Sequence, residues 1–408
     1  MIKNAKKYPW IVVGLLWGVA LLNYLDRQML STMKPTMMLD IPELQSATHF
    51  GHLMAIFLWI YGFMSPVAGM LADRISKSKL IVGSLFVWSA VTLSMGFATT
   101  YQQLYLLRAL MGVSEALYIP AGLALIAEYH RSTTRSLAVG IHMTGLYMGQ
   151  ALGGFGATIA HQLSWSVSFQ LFGVVGIIYA VVLLLLLKDN TTTKELNVVS
   201  STKNIGLPAL RQLLGTLPFW VILFYFASSS LPGWAVKNWL PTLIAENLQL
   251  EMSVAGPLST ITIAFSSLLG VLLGGYLSDR WVQTQLRGRI FTSAIGLALT
   301  LPALVFIVLG SNIFFVIGAA LCFGFGFGLF DANNMPILCQ FVPAHQRATA
   351  YGLMNMTGVF AGAFITDLLG RSIDAGQQAK TFFLMGVIVA GALLLQLFFL
   401  KPQTSDAT

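Results

Sequence analysis

Charge is almost absent from this chain over stretches as long as a bilayer is thick, which leaves few structures open to it. Apolar runs near 9–31, 51–72, 79–99, 102–127, 136–160 and 167–187 form a first set. Runs near 215–243, 253–277, 290–310, 312–341, 348–369 and 380–400 form a second. At about 1.5 Å per residue, such runs can cross a hydrocarbon core of about 30 Å. Backbone amides inside hydrocarbon must find partners within the chain, so these runs are expected to be helices. Only 9% of residues are charged, against roughly 25% in a soluble domain, and a soluble enzyme is thereby excluded. The expected fold is all-α: a polytopic membrane protein with twelve transmembrane helices in two pseudo-symmetric six-helix bundles.

The two sets echo each other. Gly69-Met-Leu-Ala-Asp73-Arg74 returns 206 residues later as Gly275-Tyr-Leu-Ser-Asp279-Arg280. Arg135-Ser-Leu-Ala-Val-Gly140 returns 212 residues later as Arg347-Ala-Thr-Ala-Tyr-Gly352. Repeats in the same order on apolar segments imply two homologous halves, an organisation typical of transporters that rock one half against the other. The expected domains are an N-terminal bundle over 1–188, a polar linker over 189–213 and a C-terminal bundle over 214–408. Of the 23 Lys and Arg, 17 fall at the N-terminus, the C-terminus or in loops after even-numbered spans. By the positive-inside rule both termini are expected in the cytoplasm of a multi-pass protein of the cell (inner) membrane. The first run follows Lys3, Lys6 and Lys7 but meets no small-residue cleavage site, so it is read as a retained helix and not a signal peptide. Cys322 and Cys339, in or near one apolar run, suggest neither a disulfide framework nor a metal cage.

Four charges inside spans demand a reason. Asp26 lies about 27 Å along the first helix, Arg108 about 9 Å and Glu115 about 20 Å into the fourth, at 1.5 Å per residue. Arg27 adjoins Asp26 but points roughly 100° away, so the two cannot face one partner. Arg108 and Glu115, seven residues apart, share a helix face. Each charge costs about 2.5 kcal/mol or more unless it is paired or faces water. One reading is two structural ion pairs, Arg27 with Glu115 and Asp26 with Arg108. The other has Arg27 bind an anion while Asp26 and Glu115 carry protons, and we favour it because buried pairs add little stability over apolar packing.

These residues also carry a resemblance. Gly69 to Lys79 and its second copy resemble the loop signature of the major facilitator superfamily, with Ser76-Lys77-Ser78-Lys79 departing from its usual glycine followed by a basic residue. Asn23-Tyr24-Leu25-Asp26-Arg27, Arg108 to Glu115 and Ile119-Pro120-Ala121 resemble the first and fourth helices of its organic anion:cation (proton) symporters. Spinster-type lysolipid transporters share the Asn-Tyr-Leu-Asp-Arg and Arg…Glu elements. The resemblance implies that Tyr24, Arg27 and Tyr61 line a substrate site, with Arg27 gripping a carboxylate bidentately. It places Gln150, Asn333 and Asn355 where polar contacts to substrate hydroxyls fall. Asp26 and Glu115 would be protonated, and Arg108 would tune Glu115. Gly69, Asp73, Arg74, Gly275, Asp279 and Arg280 would form gating or structural loops, with Gly69 and Gly275 allowing close helix contact.

Other features have two readings each. Gly145, Gly149 and Gly153 mark a small-residue seam for a neighbouring helix. Ser228 to Gly233, with Pro232, should break or bend the seventh span. Lys237 is expected to snorkel to an interface. Asp331-Ala-Asn-Asn-Met-Pro336 gathers polar and helix-breaking residues at mid-membrane and reads as a binding or gating element. His142 reads as a structural histidine or a proton shuttle, and His49 with His52 lacks the further ligands of a metal site. The expected function is proton-coupled symport of a small hydrophilic organic anion, such as a sugar acid, by alternating access. A lysolipid or sphingolipid transporter is the alternative. A membrane sensor or embedded enzyme would need an output domain, a nucleophile or a metal constellation, and no such feature is seen. Protons, the organic anion and the lipid bilayer are the expected partners of a monomer; no cofactor or nucleic acid is implied.

Overall fold

A computed structural model describes residues 7–189 and 211–404, apart from 131, 212, 311, 344 and 345. Every regular element among them is helical. The first part comprises α1 (Tyr8–Asp40), α2 (Ala47–Arg74), α3 (Lys77–Met95), α4 (Tyr101–Glu115), α5 (Tyr118–Tyr129), α6 (Ser132–Gly153), α7 (Gly156–Leu163) and α8 (Trp165–Leu186). The second comprises α9 (Leu217–Leu248), α10 (Met252–Thr284), α11 (Gly288–Val308), α12 (Ile313–Asp331), α13 (Asn334–Phe341), α14 (Arg347–Asp374) and α15 (Gln378–Phe399). Among the described residues, 11 segments are long and apolar enough to cross a membrane, α4–α5 and α12–α13 each counting as one. The run expected near 136–160 is not among them. It is divided into α6 and α7 and carries Thr144 and Gln150.

By internal contacts the chain forms two units, Met1–Leu44 with Trp59–Asn204, and Gln45–Leu58 with Ile205–Thr408. Most of the expected linker lies outside the described residues. Gln45–Leu58 groups with the second unit for a local reason. Asp374 Oδ1 accepts from the Ala47 amide and Oδ2 from the Thr48 amide, both at 2.8 Å, while Ser46 Oγ donates to it at 2.6 Å. These amides open α2 and have no intrahelical acceptor, so a carboxylate satisfies and stabilises them.

Two of the 11 counted segments are interrupted, and proline explains both. Pro120 lies four residues after Ala116, and Pro336 four after Ala332. A helical proline removes an amide donor and its ring clashes with the carbonyl four residues earlier, so the helix parts there. Accordingly α4 ends at Glu115 and α12 at Asp331. The seventh span behaves otherwise: α9 runs unbroken from Leu217 to Leu248 with Pro232 and Pro241 inside it. Ser229 Oγ and Ser230 Oγ donate to the carbonyls of Tyr225 and Phe226 at 2.8 Å, engaging acceptors one turn back.

Packing among these helices rests on shape, because lipid is as apolar as a leucine side chain. In the first unit α6 lies against α1 along its glycines. A Cβ on Gly145 would stand 2.7 Å from the Trp17 carbonyl oxygen, and one on Gly153 2.6 Å from Gln28 Cβ. In the second unit Gly324 and Gly328 bring α12 onto Ser266 and Ser267 of α10 in the same way. The outermost helices, α8 and α15, bury only 28% of their apolar windows and expose Leu185 and Phe383, as a lipid-facing helix must.

Candidate functional site

The first unit concentrates its intramembrane charges on α1 and α4. Arg27 Nε donates to Glu115 Oε2 at 2.6 Å, and Asn23 Nδ2 donates to the same oxygen at 3.0 Å. Glu115 is completely buried and Arg27 is 11% exposed. The Arg27 guanidinium also lies 5.0 Å from the ring centre of Tyr24 and 4.8 Å from that of Tyr61, within cation–π range. Thus Tyr24, Arg27, Tyr61 and Glu115 come together.

Asp26 looks the other way, as the 100° offset requires. It accepts from Thr92 Oγ1 of α3 at 3.2 Å and is nearly buried. Arg108 is nearly buried too, with Nη1 against the Met111 sulfur at 3.2 Å. Asp26, Arg27, Arg108 and Glu115 act on one another electrostatically, so a charge change at one is felt by all. The Arg27–Glu115 pair of the structural reading is present. A carboxylate that both neutralises an arginine and can lose its charge is also what proton-linked anion binding requires, so the pair serves both readings.

The remaining expected residues divide. Gln150 on α6 is 4% exposed, and its Nε2 has no hydrogen-bond partner, an arrangement that costs energy unless a ligand or water meets it. Asn333, in the α12–α13 break, is fully buried and donates Nδ2 to the Leu329 carbonyl at 2.8 Å, so its amide is directed into its own helix. Asn355 on α14 is half-buried. His142 is fully buried, with Nε2 2.7 Å from Tyr118 Oη, which also lies 2.7 Å from the Leu16 carbonyl. His52 meets Asp367 at 2.7 Å in the second unit, and no cluster of three or more His, Cys, Asp or Glu exists among the described residues.

The loop residues differ from expectation. A Cβ on Gly69 or Gly275 would meet nothing within 4 Å, so neither glycine makes close helix contact in this structure. The side chains of Asp73 and Arg74 lie outside the described residues. Asp279 is 3.7 Å from Arg289 and largely exposed, while Arg280 sits 4.8 Å from the Tyr276 ring centre. The loop departure at Ser76 to Lys79 has a structural use: Ser76 caps α3, Asp189 accepts from Ser76 Oγ and from the Ser78 amide, and Lys77 pairs with Glu128 at 2.7 Å.

The polar element at Asp331 to Pro336 has two members that sequence reasoning did not place, Tyr225 and Ser293. Tyr225 Oη lies 2.5 Å from Ser293 Oγ and donates to Asn334 Oδ1 at 3.0 Å; Asn334 Nδ2 donates to Asp331 Oδ1 at 3.2 Å. Lys237 lies over aromatic rings, its Nζ 4.8 Å from the ring centre of Phe327 and 5.9 Å from that of Trp234. A signal for this group existed. Gly112-x-x-Glu115-Ala116-x-x-x-Pro120 returns 216 residues later as Gly328-x-x-Asp331-Ala332-x-x-x-Pro336.

The comparisons agree with this architecture. Over 419 residues the chain is 24% identical to the hexuronate transporter of Escherichia coli (strain K12), covering 96% of this chain and 94% of that one. It is 22% identical over 421 residues to a probable L-galactonate transporter of the same organism, covering 98% and 91%. Among solved structures, a bacterial homolog of the human lysosomal transporter Spinster, inward-facing and occupied, superimposes with a TM-score of 0.75 at 17% identity over 96% of each chain. That likeness is one of fold. The family model of the Major Facilitator Superfamily matches residues 16–366, and the chain belongs to that superfamily.

Proposed function

We propose that this chain is a proton-coupled symporter of a small hydrophilic organic anion, a sugar acid or similar carboxylate, working by alternating access. The observation that carries the reading is the Arg27–Glu115 pair, buried between α1 and α4 with aromatic rings on the arginine. While Glu115 is ionised it occupies the guanidinium. Protonation releases Arg27 to hold a substrate carboxylate through its planar fork. Deprotonation restores the internal pair and expels the anion. Asp26, coupled to the same charges, is the second proton carrier, and Arg108 tunes Glu115. Driving an anion inward against the membrane potential costs about 2.3 kcal/mol per charge per 100 mV. Carrying more protons than anionic charges reverses that sign. Tyr24, Tyr61, Gln150, Asn333 and Asn355 complete the substrate contacts in this reading. The sugar-acid names of the two relatives above favour this substrate class.

The same reading places twelve helices in two pseudo-symmetric bundles of a bacterial-type inner membrane, with both termini cytoplasmic. Cysteines introduced at Ser200 and Gln45 should label from opposite sides, Ser200 from the cytoplasm; same-side labelling ends this topology. The functional test uses proteoliposomes. Glu115→Gln should abolish substrate accumulation under an imposed pH gradient yet preserve exchange at equal pH. Undiminished accumulation in both Glu115→Gln and Asp26→Asn removes these carboxylates from coupling. A lysolipid substrate is the second reading, favoured by an apolar groove of about 490 Å³ along Trp17, Leu21, Ile178 and Tyr179. Thermal stabilisation by lysolipids and not by sugar acids would decide for it.

A further inference from the structure

Glu115 ends α4 and Asp331 ends α12, and the parallel extends beyond the two acids. Tyr118 and Asn334, which open the next helical segments, share the 216-residue spacing, and each is tied to the first long helix of its unit. Tyr118 Oη donates to the Leu16 carbonyl, and Tyr225 Oη donates to Asn334. Leu16 and Tyr225 each lie seven residues beyond the proline that starts their helix, Pro9 and Pro218. Arg27 lies 18 residues beyond Pro9, and Lys237 lies 19 beyond Pro218. Both cations rest on aromatic rings: Arg27 on Tyr24 and Tyr61, Lys237 on Phe327 and Trp234. The second unit therefore reproduces the acid, the cation, the rings and the tie beneath them.

One property differs. Glu115 is fully buried against its arginine, whereas Asp331 is exposed, holding Asn334 and acted on by the charge of Lys237. A carboxylate facing lipid near the middle of a span is costly. Asp331 escapes that cost by its direction. It shares a helix face with Phe327, four residues earlier, whose ring lies against Lys237 of α9. The exposed acid therefore stands on the side of α12 that faces the Lys237 ammonium.

We propose that Asp331 is a second proton-carrying site, located in the second unit, with Lys237 as its counter-charge. The ligand is a proton and not a metal ion, because the Lys237 charge that acts on the carboxylate repels a bound cation. When Asp331 is ionised it neutralises Lys237; when it takes up a proton it becomes a neutral donor and leaves Lys237 able to hold an anionic group. The charged and titratable groups on α12 and the helices packed on it are few. Cys322 is on α12 itself, and Tyr225, Lys237 and Glu246 come from α9. Tyr276, Asp279 and Arg280 follow Gly274 of α10, which abuts Leu329, and Arg289 precedes Gly296 of α11, which abuts Phe330, so all four lie on the side of the Asp331 end of α12. Of these, Lys237 and Tyr225 are electrostatically coupled to Asp331.

The consequence for transport, one more proton per cycle, rests on the symport reading above, but the site can be tested without any substrate. Infrared difference spectra of the full chain in liposomes are recorded while the pH is stepped from acid to alkaline. Wild type should show carboxylic-acid carbonyl bands that disappear on alkalinisation. Asp331→Asn should lose one of them, and Glu115→Gln and Asp26→Asn should lose others. Asp331→Glu should keep the band at an altered frequency, and Lys237→Met should move its pH midpoint. A spectrum of Asp331→Asn superimposable on wild type overturns the proposal, as does disappearance of the Asp331 band when sodium replaces choline. If Asp331 titrates while no sugar acid is accumulated, the proton site stands and the substrate reading fails. If sugar acids are accumulated while Asp331 is silent, the reverse holds.

Discussion

The two units hold the same kind of acid–cation arrangement in opposite states of closure. In the first, Glu115 is sealed against Arg27 at 2.6 Å and touches no solvent. In the second, Asp331 is exposed and holds the neutral Asn334, with its cation resting on aromatic rings. The same interrupted helix thus supports either a closed ion pair or an open acid. The choice depends on which side chains surround the break. Leu117 and Tyr118 line it in the first unit; Asn333 and Asn334 take their places in the second, and there the amide of Asn334 engages the acid.

Arg27 offers the strongest way to break this comparison. Arg27→Ala removes the partner of a buried carboxylate, which typically costs about 3–5 kcal/mol. We expect loss of anion binding, measured by calorimetry, together with a lowered melting temperature that acid pH partly restores by neutralising Glu115. The equivalent change, Lys237→Ala, should alter the melting temperature far less, because Asp331 is exposed where Glu115 is completely buried. Equal losses at the two positions would mean that Asp331 is as closed as Glu115. Arg27→Lys should also bind poorly, since an ammonium cannot reproduce the fork.

A somewhat smaller effect is expected from the glycine seams. Gly153→Val must displace Gln28 or the Leu25 backbone, and Gly328→Val must displace the α10 backbone. Each should cost about 1–3 kcal/mol by overpacking, read as a lowered melting temperature in detergent. Gly140→Val, where a Cβ meets nothing within 4 Å, should change little and serves as the control. If Gly140→Val proves as harmful as Gly153→Val, backbone freedom and not close approach explains the seam.

The smallest expected difference lies in the loops. Lys77 and Glu128 are each mostly buried and 2.7 Å apart, while Asp279 is 72% exposed and 3.7 Å from Arg289. Glu128→Gln should cost up to about 1 kcal/mol and Asp279→Asn next to nothing, as expected for screened pairs. Denaturation in raised salt should shrink the first effect. An effect of Asp279→Asn larger than that of Glu128→Gln would place a latch in the second loop that this structure lacks.

Much of the fold was legible in the pattern of apolar runs, because hydrocarbon tolerates only helices with satisfied backbones. Asp26, Arg27, Arg108 and Glu115 stood out for the same reason: a charge in such a run is costly enough to need a purpose. Even the divergence of Asp26 from Arg27 followed from helical geometry. Helix continuity was less readable. Pro120 and Pro336 part their helices while α9 continues through Pro232. The tie among Tyr225, Ser293 and Asn334 joins positions 68 and 109 residues apart, a separation at which a single sequence gives no hint of contact.

By itself, then, the sequence determined the membrane class, the helical secondary structure, the duplicated order of motifs and the acid and base that the first unit had to bury. Tertiary structure alone decided which charges meet. Arg27 chose Glu115 over Asp26 because α4 lies on its side of α1, and Asp26 found Thr92 on α3. It also decided that Asp331 is open where Glu115 is sealed, although the two occupy matching positions in matching motifs. Spacing along a helix sets direction, but only the neighbours that arrive on that side determine whether a charge meets a partner or water.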